Sequence, residues 1–71
     1  MGAENTERLD QLVALLQRRL HGRVYDLRVE LHERGLVLRG WTHTYYTKQL
    51  AQHVAMESTG LQILANEIEV R

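Results

Sequence analysis

The chain has 71 residues, nine Lys and Arg against nine Asp and Glu, and neither cysteine nor proline. That length bounds one domain that buries only about 60% of the surface its unfolded chain exposes, which leaves little core for a deep active site. The missing cysteines exclude disulfides and thiolate metal sites. A formal charge of zero removes the net positive field that drives sequence-independent nucleic-acid binding.

Residues 1–5 read as a disordered leader. They lack the basic, then apolar, start of a secretory signal, and no later stretch approaches the ~18 apolar residues of a membrane span. The expectation is a soluble cytoplasmic chain, or a periplasmic one if the sequence is an excised or processed domain. Thr6 is placed to cap a helix over residues 6–21, with Glu7 and Asp10 in its positive first turn. Leu9, Leu12, Val13, Leu16 and Leu20 recur at helical spacing and form one apolar stripe. Arg18, Arg19 and His21 suit the negative end, and Gly22 is the expected stop.

From Val24 the period falls to two. Leu27, Val29 and Leu31 alternate with Arg28, Glu30 and His32, which predicts a strand over 24–32. Leu36 and Leu38 alternate with Val37 and Arg39 in a second strand over 36–41. The short polar link His32-Glu33-Arg34-Gly35 suits a hairpin loop in which glycine supplies a left-handed residue. Thr44 then caps a helix over 44–58 whose inward stripe is Thr47, Leu50, Ala51, Val54 and Ala55, terminated by Gly60. A last strand over 62–70 puts Leu64, Ile68 and Val70 on one face and Glu67 and Glu69 on the other.

The order helix, strand, strand, helix, strand predicts an α+β two-layer sandwich with both helices on one face of a three-stranded mixed sheet. The second helix makes a crossover, so the third strand runs parallel to the second. The expected strand order is 2-1-3, with the first strand central.

Gly35-Leu36-x-Leu38-x-Gly40, Thr44, the helix containing Ala51, and Gly60-Leu61-x-x-Leu64-x-Asn66-x-Ile68-x-Val70 resemble the BON domain, named for bacterial osmotically induced and nodulation proteins. The likeness runs from about Val24 to Val70, and with the first helix it takes in nearly the whole chain. It implies a non-enzymatic module, often periplasmic and frequently in tandem copies, thought to bind phospholipid or to attach proteins to membranes and other assemblies. It implies no catalytic residues. The single copy and the lack of a visible export signal depart from that setting.

Asn66 shares strand parity with Ile68 and Val70, so its amide points inward and needs a partner, an unpaired one costing ~1–3 kcal/mol. Asn66, Gly35, Gly40 and Gly60 are therefore read as structural residues. His21, His32, His43 and His53 fall in different elements without metal-ligand spacing, and no serine or threonine lies in a Gly-x-Ser-x-Gly elbow. Glu67 and Glu69 are expected to pair across strands with Arg28 or Arg39 rather than to act as acid and base. No metal, cofactor, small-molecule substrate or nucleic acid is expected, and no enzyme activity.

Two surfaces are candidates for binding. One is the sheet face opposite the helices, where Trp41, placed at the sheet edge, stands beside Arg39 and can anchor a protein partner or sit at a headgroup layer. The other is the start of the second helix, where Tyr45, Tyr46 and Lys48 lie near free backbone N–H groups; one tyrosine is expected to face the core. The first reading is a binding or adaptor module that docks to a protein partner or self-associates. The alternative is a peripheral phospholipid-binding module.

Overall fold

The computed structural model describes the backbone of residues 2–71 and the side chains of residues 7–71. Its elements are α1 (Gly2–Arg19), β1 (Tyr25–His32), β2 (Gly35–Thr42), α2 (Tyr45–Thr59) and β3 (Ile63–Val70). The molecule is an α+β domain with two helices and a three-stranded mixed sheet. No helix among the described residues is long and apolar enough to cross a membrane.

α1 begins at Gly2, so residues 2–5 belong to the helix and Thr6 lies inside it rather than at its cap. Ala3 and Glu4 are good helix formers, and nothing after Gly2 breaks the run. Residue 1 of the expected leader lies outside the described residues. At the other end the Gly22 N–H donates to Gln17 O at 2.9 Å and the His21 N–H to Arg18 O at 3.2 Å. This is a Schellman turn in which His21 (φ 55°) takes the left-handed position ahead of Gly22 (φ 67°). α2 is capped at both ends: Thr44 Oγ1 accepts from the Thr47 N–H at 3.1 Å, and the Gly60 N–H reaches Met56 O at 2.8 Å.

The sheet runs in the order β1-β2-β3. β2 pairs antiparallel with β1 and parallel with β3, so the central strand is β2 and not β1, which corrects the expected 2-1-3 order. The hairpin places β1 on one flank of β2, and the α2 crossover delivers β3 to the other. Burial agrees with this: Leu36 and Leu38 of β2 are 1% and 0% exposed, against 8% for Leu27 and Val29 of β1.

One core cluster joins Leu16 and Leu20 of α1, Val24, Leu27 and Val29, Leu36 and Leu38, Ala51, Val54 and Ala55 of α2, and Ile68 of β3. Leu9, Leu12, Val13, Leu50 and Ile63 pack partly buried around it. Two departures from strict alternation shape the sheet. The β2–β3 register shifts between Leu36 and Val37, where Ile63 and Ala65 are the successive partners. Ile63 therefore takes the core position expected of Leu64, and Leu64 is left 42% exposed. In β1 the register shifts between Tyr25 and Arg28, with Asp26 at φ 54°.

Gly35 follows the two-residue turn rather than sitting in it, and it keeps the positive φ that favours glycine. It opens β2, pairs with His32, and has φ 152°. Asn66 ties β3 to α2: its Nδ2 donates to Lys48 O at 2.9 Å and to Gln52 Oε1 at 3.3 Å. Its Oδ1 accepts from the Ile68 N–H at 3.2 Å. Asn66→Ala is expected to cost about 1–3 kcal/mol, because the Ile68 amide loses its side-chain acceptor and the tie from β3 to the Lys48 carbonyl of α2 is lost in a half-buried place. Urea unfolding of the two proteins measures it, and a loss below about 0.5 kcal/mol would count against this role.

Candidate functional site

The bulge in β1 decides which side chains meet. Uninterrupted alternation would give Tyr25 the same facing as Leu27 and Val29, in the core. The extra residue at Asp26 turns Tyr25 to the opposite face, where it is paired with Trp41. Their rings stack at 4.3 Å between centroids and 22° between planes. The His43 ring stands edge-on to both, at 5.4 Å from Tyr25 and 5.3 Å from Trp41. The Arg71 guanidinium lies 4.9 Å from the Trp41 centroid and is held by Glu69 at 2.9 Å. Trp41 thus belongs to the central strand, not to the sheet edge, and is half-buried by its aromatic neighbours.

Beside this stack a cleft of about 340 Å³ is lined by Arg23, Tyr25, Thr42, His43, Thr44, Tyr46 and Thr47. At its floor the buried Thr42 hydroxyl donates to Arg23 O at 2.8 Å. Tyr46 forms its rim. Tyr45 and Tyr46 are 65% and 69% exposed, so neither faces the core. Thr47, 4% exposed, takes the first inward place of α2 instead. Lys48 is half-buried, and its contribution to the packing is the carbonyl that Asn66 holds.

The rest of this sheet face is a ladder of charges. Arg39 Nε reaches Glu30 Oε2 at 2.6 Å and Arg39 Nη1 reaches Glu67 Oε1 at 2.7 Å. His32 Nε2 adds a 3.2 Å contact to Glu30 Oε1. A single guanidinium thus bridges β1, β2 and β3, with its planar fork between two carboxylates. Hydrogen bonds from Arg39 and then His32 hold the Glu30 carboxyl below its ordinary 4.5, and Glu30 in turn raises Arg39.

Because the folded state depresses the Glu30 pKa, its contribution is complete above the unfolded value and is lost as pH falls below about 4.5 through the folded one. Wild type is therefore expected to lose more melting temperature than Glu30→Gln between pH 6 and pH 3, and the difference is expected to shrink in high salt. Parallel pH profiles for the two proteins would show that the ladder contributes nothing.

Of the residues picked out from the sequence, Trp41 and Tyr46 flank one aromatic region, Arg39 is engaged in the ladder, and Tyr45 and Lys48 lie outside both. Tyr25, Arg23 and Arg71 carry no such signal in the sequence, and His43 reads there only as one of four histidines without metal-ligand spacing. The available signal was Asp26, a poor strand former inside a β pattern, which marks the bulge. Among the described residues no three His, Asp or Glu side chains converge as a metal set. Comparison of the chain with protein-family models, with curated proteins and with solved structures finds no match.

Proposed function

We propose that this chain is a non-enzymatic binding module that docks to a protein partner through the aromatic end of its sheet, in the manner of a BON-type domain. The observation that carries the reading is the Tyr25–Trp41–His43 cluster opening onto the cleft rimmed by Tyr46. Tyrosine and tryptophan supply large contact area at low entropic cost, and they dominate the anchoring positions of protein interfaces. The surrounding face mixes both signs of charge, which suits a partner of defined charge pattern better than an anionic bilayer. The element order, with Gly40 and Asn66 on neighbouring strands, supports the family placement.

A second reading, peripheral phospholipid binding, rests on the outward display of Tyr45 and Tyr46 together at the start of α2. One experiment separates the two. A photo-crosslinking residue in place of Tyr46, in cells that make the chain, should yield a discrete protein adduct that the same residue at Gln11 does not. The adduct should disappear in Trp41→Ala at a temperature where circular dichroism shows that variant still folded. Sedimentation with anionic but not neutral vesicles, lost in Tyr45→Ala and weakened by salt, would replace the protein reading with the lipid one. A crosslink to a second copy, with a mass that rises with concentration, would make the partner the chain itself.

A further inference from the structure

β1 is an edge strand, and the backbone pairing shows which of its groups are unused. The Leu36 N–H donates to Gln62 O at 2.9 Å, on the β3 side of β2. Its cross-strand partner Leu31 must then turn its own N–H and C=O away from β2, and so must Val29 two residues earlier. These donors and acceptors point along the free edge. Leu31, 53% exposed, adds an uncovered apolar side chain there.

The helix layer overhangs that edge. Two helices side by side occupy about 20 Å, whereas three strands supply about 14 Å, a shortfall of roughly one strand. By backbone proximity α2 lies over β2 and β3, while α1 lies over β1 and beside α2, its Leu16 and Leu20 reaching into the core shared with Leu36 and Leu38. The excess width therefore falls beyond β1. A groove of about 300 Å³ lies there, with Leu9, Asp10 and Val13 of α1 as its roof and Leu27, Arg28 and Val29 of β1 as its wall.

We propose that this groove takes an extended segment of a partner protein as a fourth strand, its apolar residues turned toward Leu9, Val13 and Leu31 and an acidic residue set across from Arg28. The overhanging α1 roofs one added strand but leaves no room for a second helix, so a strand borne by another copy of this domain, with its own α1, does not fit. Arg28 sets the charge. Its side chain is 69% exposed and its contact is Asp26 at 3.5 Å, whereas Glu30 on the same face is already held by Arg39 and His32. The opposite edge, β3, presents Glu67 and Glu69 and has α2 packed over it. Strand addition of this kind draws affinity from main-chain hydrogen bonds and selectivity from alternate side chains. The residues differ from those of the aromatic end, so either surface can fail without the other.

The probe is a capped peptide of about eight residues, alternating valine and threonine with one central glutamate in a threonine place. On titration, the Val29 and Leu31 amides should become protected from hydrogen exchange. With the peptide antiparallel to β1, its valines lie opposite Val29 and Leu31, so methylating the valine amides should abolish binding and methylating the threonine amides should spare it. Arg28→Glu should weaken the glutamate peptide about tenfold and favour its lysine counterpart instead. Leu31→Pro removes only an outward N–H, so it should keep the fold and lose the peptide. Unchanged exchange at Val29 and Leu31 up to the solubility of the peptide would overturn the proposal. So would protection of those amides without peptide at rising protein concentration, which would make the occupant a second copy.

Discussion

Gly35→Ala is expected to remove a large share of the chain's stability, about 4 kcal/mol or more. A Cβ at Gly35 would stand 2.2 Å from Gln62 O and 3.2 Å from Leu64 Cγ, at φ 152°. The atom in the way is backbone, and it is the carbonyl that accepts the Leu36 N–H. Relief of the clash therefore moves β3 away from β2 at the point where their parallel pairing starts. A 71-residue domain has roughly 4–10 kcal/mol of total stability, and this substitution combines backbone strain, a lost ladder bond and a displaced strand, about 4 kcal/mol or more. Far-ultraviolet circular dichroism with urea titration tests it. A variant with a midpoint within about 0.5 M urea of wild type would show that β3 can shift at little cost.

Gly40→Ala is expected to cost about 2–4 kcal/mol and to disturb the aromatic end specifically. Here a Cβ would meet Tyr25 O at 2.8 Å and Asp26 O at 3.2 Å, at φ 145°. Gly40 lies opposite the β1 bulge, and the absence of a side chain lets the bulged backbone approach. Pushing that backbone away should separate Tyr25 from Trp41, whose stacking depends on the bulge. Trp41 is the one tryptophan, so its fluorescence and near-ultraviolet dichroism report on the stack directly. An unchanged Trp41 spectrum in a destabilised Gly40→Ala would separate the stack from the bulge and refute the link. Gly60→Ala is the control: its φ is 71° but nothing among the described residues lies within 4 Å, so only about 1 kcal/mol is expected.

Much of this was legible from residue spacing. Both helices, all three strands, the Thr44 and Gly60 caps and most of the core follow from apolar periodicity and cap chemistry, because these are local properties of the backbone. Apart from the start of α1, which lies at Gly2 and not at a Thr6 cap, the differences concern relations between segments. The order 2-1-3 failed because pattern alone does not say on which flank of the hairpin a crossover strand lands, and β1 and β2 are both half-apolar. Strict alternation puts Leu64 in the core, but the bulge where β3 meets β2 gives that place to Ile63. Alternation fails for Tyr25 in the same way at the bulge in β1.

Residue spacing and composition are enough to set the elements, the apolar residues available for burial, the lack of cysteine and the balance of charge. The tertiary structure alone decided that Tyr25, Trp41, His43 and Tyr46 share one end of the molecule, and that one arginine, Arg39, bridges three strands. It also decided that β1 is left with an open edge beneath α1. Local periodicity fixes which way a side chain faces only until an extra residue enters a ladder, and long-range neighbours are chosen by how layers of unequal width pack.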